Sequence, residues 1–136
     1  MRLILKFTIS ILLITILFFL SCKKDVSCEG CAGNKVLFAG GNNGQGVSST
    51  VDIYDIVLHT LTTAQLSEAH ADLSAVVVGT KIFFAGGTGA NGASKTVDIY
   101  DAATNSWSTT ELSVPHGNLN AAVLNNKIFC WWRQYC

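Results

Sequence analysis

Lys35-Val-Leu-Phe-Ala-Gly-Gly41 returns 46 residues later as Lys81-Ile-Phe-Phe-Ala-Gly-Gly87, and this repeated stretch decides the fold. Thr50-Val-Asp-Ile-Tyr-Asp55 returns at the same shift as Thr96-Val-Asp-Ile-Tyr-Asp101, and the register continues to Lys127 without insertion or deletion. A fixed internal period indicates a repeat architecture, in which each repeat is one supersecondary unit packed on its neighbours.

Within each period, short segments rich in β-branched and aromatic residues are separated by clusters of Gly, Asn, Ser and Thr, a pattern typical of strands and turns. One full period is predicted to hold four strands, at residues 74–78, 81–85, 96–100 and 106–112. Residues 35–66 are predicted to hold three strands, and two more begin at about residue 119. The predicted fold class is all-β. Two longer loops at equivalent positions, 42–49 and 88–95, are expected to lie exposed on one face.

These segments resemble the kelch repeat, whose pattern is a hydrophobic strand ending in Gly-Gly, followed by a Tyr and then a Trp. The matching residues are Gly40, Gly41 and Tyr54 in the first copy, and Gly86, Gly87, Tyr100 and Trp107 in the second. Leu61 stands where the first copy's Trp belongs. The resemblance implies a four-stranded blade per repeat, with blades packed around a central channel. It implies structural roles for these glycine and aromatic residues, at close approaches and between blades.

Residues 35–136 are therefore expected to form a partial kelch-type β-propeller, with about two blades and the start of a third. A closed propeller has four to eight blades, so six blades of this period would need about 276 residues. After Phe129 the repeat calls for Phe-Ala-Gly-Gly, but the chain ends in the aberrant tail 130–136. Codons for this tail, read one nucleotide forward, can encode the missing motif. We expect a truncated product of a longer gene, caused by a frameshift.

The N-terminal 21 residues are predicted to be a secretory signal, because Arg2 and Lys6 precede an uncharged apolar run at residues 7–20. That run is shorter than the roughly 20 residues of a membrane-spanning helix. The Ser21-Cys22 junction resembles the lipobox of bacterial lipoproteins, which implies lipidation of Cys22 and a tether at residues 22–34. The alternative is an ordinary signal with a chance cysteine. The expected location is the bacterial outer membrane, reached through this lipid anchor.

Cys28 and Cys31 have the C-x-x-C spacing of redox sites and of half a zinc site. A four-ligand zinc site needs a second pair, which the sequence does not supply. Haem attachment requires His where Ala32 stands. In an oxidising envelope, a small disulfide or two unreactive thiols is the expectation. No metal and no cofactor are predicted.

The charge of the chain argues against nucleic acid as a partner. Residues 22–136 carry seven basic and nine acidic side chains and no basic patch. No Ser-His-Asp or Cys-His set can be assembled from the spacing of its residues. Structural or exposed roles are expected for the histidines, and turn hydrogen bonding for the acids beside the tyrosines: His59, His70 and His116, and Asp52, Asp55, Asp98 and Asp101. An enzyme is therefore the less favoured hypothesis.

The favoured hypothesis is an envelope-anchored binding module that meets a glycan or protein through its loops, where a rigid scaffold usually carries function. One alternative is a piece of a kelch-fold enzyme, since the family includes copper-dependent sugar oxidases and sialic-acid epimerases. The oxidase needs a Cys beside a Tyr, which neither repeat offers. The other alternative is a frameshifted, nonfunctional product.

Overall fold

The computed structural model describes residues 33–132, and among these residues every regular element is a strand. The predicted all-β fold class is confirmed. In chain order the strands are β1 (Lys35–Ala39), β2 (Thr50–Asp55), β3 (Thr60–Gln65), β4 (His70–Ala71), β5 (Ser74–Val78), β6 (Lys81–Ala85), β7 (Thr88–Gly89), β8 (Gly92–Ala93), β9 (Thr96–Asp101), β10 (Ser106–Glu111), β11 (Leu119–Leu124) and β12 (Lys127–Trp132).

Three antiparallel sheets follow the sequence period. Blade 1 has the order β1-β2-β3, blade 2 has the order β10-β9-β6-β5, and the hairpin of blade 3 pairs β11 with β12. These sheets contain the three, four and two strands predicted from the repeat. The fourth predicted strand was one residue too long, since β10 ends at Glu111. The arrangement is that of a partial kelch-type propeller.

Tight two-residue turns join β5 to β6 and β11 to β12. Gly79 begins the β5–β6 turn with a φ of 59°, and Asn125 and Asn126 form the β11–β12 turn with φ values of 50° and 57°. Two successive positive φ angles define the type I′ turn, whose twist suits a hairpin and whose geometry Asn tolerates. The register of both hairpins is thereby fixed.

A fourth, small sheet has the order β4-β7-β8 and lies at the connection between blades 1 and 2. It corrects the expectation that loop 88–95 is exposed throughout, because Gly89 and Ser94 are buried. The loop folds into a short hairpin and pairs with the linker from blade 1, with His70 opposite Gly89. Backbone groups in the loop are satisfied by this pairing rather than by solvent.

Two apolar clusters lie between the blades. The first joins blades 1 and 2 through Val51, Ile53, Leu66, Ile82, Phe84 and Tyr100. The second joins blade 2 to the hairpin of blade 3 through Ala85, Val97 and Leu119. Successive residues of a strand point to opposite faces, so blade 2 contributes to both clusters. Blade 2 is the described sheet that is covered on both sides.

The outer face of blade 1, termed the leading face, consists of Val36, Phe38, Asp52, Tyr54 and Leu61. These residues alternate along their strands with Leu37, Ala39, Val51, Ile53 and Ala64, which pack towards blade 2. Phe38 is 65% exposed, whereas its repeat equivalent Phe84 is 1% exposed. Within the described part of the chain, this apolar surface has no neighbouring blade.

Candidate functional site

In blades 1 and 2, the Gly-Gly pair lies at the end of the sheet where the following linker crosses it. Gly40 N donates to Thr50 O at 2.9 Å, and Gly41 N donates to His70 O at 3.0 Å. The same bonds recur in blade 2, donated by Gly86 and Gly87. The first glycine of each pair has a φ near +65° and faces a histidine carbonyl oxygen, which a Cβ would approach to 2.4 Å in blade 1 and 2.7 Å in blade 2. Glycine is therefore required by conformation and by space.

The carboxylate of Glu68, in the linker that follows blade 1, is held at this end of blade 2. Glu68 Oε2 accepts hydrogen bonds from Ser94 Oγ at 2.8 Å and from Thr96 Oγ1 at 2.9 Å. Beside it, the backbone N–H of Ser67 donates to Asp98 Oδ2 at 3.0 Å. The two hydroxyl hydrogen bonds are the main cause that lowers the pKa of Glu68 below its usual value. The Leu66–Glu68 segment is thus held by Thr96 and Asp98 on one face of β9 and by Ser94, which lies two residues before that strand.

The same three side-chain types recur on blade 1 as Ser48, Thr50 and Asp52, which we call the carboxylate site. Ser48 Oγ accepts a hydrogen bond from Thr50 N at 3.1 Å, as Ser94 Oγ does from Thr96 N. Within residues 33–132, Asp52 has no hydrogen-bond partner. The site lines a cavity of about 440 Å³ together with Phe38, Ala39, Gly40, Gly41, Asn42 and Asn43.

Loop 42–49 forms one wall of this cavity and is shaped by its own asparagines. Asn42 Oδ1 accepts from Gly44 N at 2.9 Å, and Asn43 Oδ1 accepts from Gln45 N at 3.0 Å. Such Asx turns stabilise a compact loop. Residues 42–46 are exposed, as the sequence predicts for this loop. The loop therefore presents polar groups beside the carboxylate site.

The acids flanking the tyrosines divide into two groups. Asp55 and Asp101 accept hydrogen bonds from backbone N–H groups two or three residues later, as expected for turn residues. These backbone bonds are the main cause that lowers the pKa of Asp55, whereas the pKa of Asp101 is lowered first by the hydrogen bond from Lys81 Nζ and then by the backbone bond from Ala103. Asp98 is different, because it is 2% exposed and bonds across the junction between blades. The turn interpretation is wrong for Asp98. Its Oδ2 accepts from Ser67 of the linker, and its Oδ1 accepts from Thr109 Oγ1 of β10 at 3.0 Å, so neither oxygen bonds to its own turn.

At the opposite end of the junction, Tyr100 lies against Trp107, with ring centroids 5.0 Å apart. Lys35 of blade 1 donates from Nζ to Tyr100 Oη at 3.0 Å and also contacts Asn105. On the leading face of blade 1, the equivalent pair is Tyr54 and His59, whose Oη and Nδ1 atoms lie 3.2 Å apart. The structure places the predicted aromatic residue Trp107 between blades and leaves Leu61 exposed.

The histidines are used differently. His70 is fully buried, and neither of its ring nitrogens has a partner among residues 33–132. Its backbone N–H donates to Ser48 O at 3.2 Å, so it ties the linker to blade 1. His116 repeats this backbone bond, to Ser94 O at 2.9 Å. His59 is exposed.

Several predicted features lie outside the described residues, namely the signal at 1–21, Cys22, Cys28, Cys31 and the last four residues of the tail. Cys130 lies in β12 as a free, exposed thiol. Across residues 33–132, no group of three or more His, Cys, Asp or Glu side chains is arranged to hold a metal ion. The same residues include no helix that is long and apolar enough to span a bilayer.

The stacked antiparallel sheets are consistent with a partial β-propeller of the kelch type, and a Gly-Gly pair follows β1 in blade 1 and β6 in blade 2. Comparison with protein families finds the Kelch motif at residues 69–110. This match begins directly after Glu68 and covers all but the last residue of blade 2, including Gly86, Gly87, Tyr100 and Trp107. Comparison with curated proteins gives no significant match.

Sequence reasoning missed Glu68 and the carboxylate site. The signal that could have revealed the site is the alternation Ser48-x-Thr50-x-Asp52 and its exact recurrence at Ser94-x-Thr96-x-Asp98. Alternate residues share one face of a strand, so this pattern puts Thr50 and Asp52 on one face of β2, and Thr96 and Asp98 on the matching face of β9, each pair preceded by a serine two residues before the strand.

Proposed function

We propose that this chain is an interaction module that binds an acidic segment of a protein partner at the carboxylate site of blade 1. The observation that carries the proposal is the occupied equivalent on blade 2, where Ser94, Thr96 and Asp98 hold residues of the preceding linker. The lipid anchor at Cys22 would keep the module at the bacterial envelope, a proposal supported by the lipobox-like sequence alone.

The occupied site specifies the chemistry of the ligand. A carboxylate accepts from the hydroxyls of Ser48 and Thr50, and a backbone N–H one residue earlier donates to Asp52, as in the bonds of Glu68 and Ser67. An apolar residue directly before this pair packs on Phe38 as Leu66 packs in the cluster with Phe84. A protein segment supplies all three groups from consecutive residues. A glycan acid could supply the carboxylate but lacks the backbone N–H and the apolar side chain.

The alternatives raised by the sequence stay hypotheses. A sugar oxidase would need a Cys beside a Tyr, which neither repeat offers, and an epimerase would need its own catalytic residues. A nonfunctional truncated product predicts that the carboxylate site binds nothing. The binding proposal and the nonfunctional alternative are therefore separated by the same measurement.

A fluorescent peptide of residues 63–71 is a suitable probe because it contains Leu66, Ser67 and Glu68. Fluorescence anisotropy with the full chain should show saturable binding. Replacing Glu68 of the peptide by Gln, or making Thr50→Val in the protein, should weaken binding about tenfold, as expected for a lost hydrogen bond to a charged group. The matched control is Thr96→Val, whose site is already occupied within the chain. Equal affinity for Thr50→Val and wild-type protein would overturn the proposal.

A further inference from the structure

We propose that two copies of this chain associate head to tail, with the hairpin of blade 3 of one copy packed on the leading face of blade 1 of the other. This inference goes beyond the proposed function: it uses Val36, Tyr54 and Leu61 of the leading face, and Phe38 adjoins both contacts. The contact would reproduce, between molecules, the junction that joins blades 1 and 2 within the chain.

The leading face has the composition of a surface that a blade covers. Its residues Val36, Phe38 and Tyr54 correspond to Ile82, Phe84 and Tyr100, which are at most 6% exposed beneath blade 1. On blade 1, Val36 and Phe38 are 43% and 65% exposed, and Leu61 is 64% exposed. An exposed apolar patch of this kind on a protein surface marks an interaction site.

The complementary surface is the outer face of β12, termed the trailing face, with Lys127, Phe129 and Trp131. Two repeats earlier, the same positions are Lys35, Leu37 and Ala39. Leu37 and Ala39 pack against the cluster between blades 1 and 2, and Lys35 reaches across that junction. Phe129 and Trp131 are 50% and 52% exposed, while their neighbours Ile128 and Cys130 line a cavity towards blade 2.

Polar groups at one end of the two faces also match. Lys35 donates to Tyr100 and Asn105 within the chain. Tyr54 and His59 stand at the equivalent positions on the leading face, and Lys127 stands at the equivalent position on the trailing face. Within residues 33–132, Lys127 has no partner. A second copy therefore brings a cation to the Tyr54 and His59 end, as Lys35 does in the internal junction.

The repeat favours this pairing over a symmetric contact between two leading faces, which would bring Tyr54 towards Tyr54 with no lysine at either end. Head-to-tail interfaces close into rings when the rotation between copies permits.

Paired substitutions distinguish the head-to-tail arrangement from others. Leu61→Asp places a charge on the leading face, and Phe129→Asp places one on the trailing face. The full chain in a mild detergent should sediment as a dimer, and each variant alone should show at least a tenfold weaker association. Mixing the two variants should restore dimers, because one intact leading face then meets one intact trailing face. A monomeric wild type, or a Phe129→Asp variant that associates normally, would overturn the proposal.

A second pair of variants guards against misfolding. Lys127→Glu reverses the cation proposed to meet Tyr54 and should weaken association, whereas Lys95→Glu makes the same charge change at an exposed salt bridge away from the proposed contact. Unchanged circular dichroism in both variants verifies the fold. Equal association of Lys127→Glu and Lys95→Glu would contradict the proposed register. Binding of the peptide of residues 63–71 should persist in every variant, so failure of dimerisation and failure of the proposed function are separable.

Discussion

Replacing Gly87 by alanine should destabilise the chain far more than replacing Gly41, its equivalent one repeat earlier. Both residues have strongly positive φ angles, 93° and 103°. Alanine in such a conformation costs about 1–2 kcal/mol. A Cβ on Gly87 would also lie 2.3 Å from Ala71 O and 2.9 Å from Leu73 N, whereas a Cβ on Gly41 would meet nothing within 4 Å.

The steric conflict at Gly87 involves backbone atoms of the linker, which cannot rotate away as a side chain can. Overpacking of this kind adds about 1–3 kcal/mol. With an m-value of about 1–3 kcal/mol per M urea, the Gly87→Ala midpoint should lie about 1 M below that of Gly41→Ala. Urea unfolding followed by tryptophan fluorescence measures both midpoints. Equal midpoints would show that the linker does not cross closely over Gly87, and the account of the blade junction would be refuted.

Phe84→Ala should cost about 3–5 kcal/mol because the ring is buried between blades, whereas the equivalent Phe38→Ala should cost less than about 1 kcal/mol; urea unfolding of dilute, monomeric protein checks both, and similar losses would contradict the packing. Stability should fall as the pH drops below about 4.5, because the pKa of Glu68 is lowered in the folded chain and its contribution is lost as it protonates. Unfolding at several pH values should show a weaker acid dependence for Glu68→Gln, and an unchanged dependence would argue against the hydroxyl hydrogen bonds. A fatty-acid analogue should label the wild type but not Cys22→Ala, and an unlabelled wild type would remove the lipoprotein proposal.

The period of 46 residues made the strands predictable, because each segment occurs twice in the sequence with partly different residues. Gly40 and Gly86, for example, share their neighbours and their hydrogen bonds, so one copy predicts the other. The turn at Asn125 and Asn126 could be predicted for the same reason. Repetition converts weak local signals into a strong one when both copies occupy the same environment.

Features that occur once could not be found in this way. Glu68 has Val114 at its equivalent position, so the carboxylate bonded to Ser94 and Thr96 leaves no periodic trace. The small sheet formed by β4, β7 and β8 depends on pairing between linker residues 70–71 and loop residues 88–89. Neither range was predicted to form a strand. Asp98 was misread because its sequence neighbours suggested a turn, whereas its partner Ser67 lies 31 residues earlier.

The covered position of blade 2 has a consequence for the motions of the chain. In stacked repeats, each unit is stabilised by its immediate neighbours, so openings begin at the ends and travel inwards. Amide protons of β6 and β9, which are inner strands of the sheet packed on both faces, should exchange with solvent last. Blade 1 and the terminal hairpin should exchange sooner and independently of each other. A protease would therefore trim the chain from its ends and leave the central blade as the most persistent fragment.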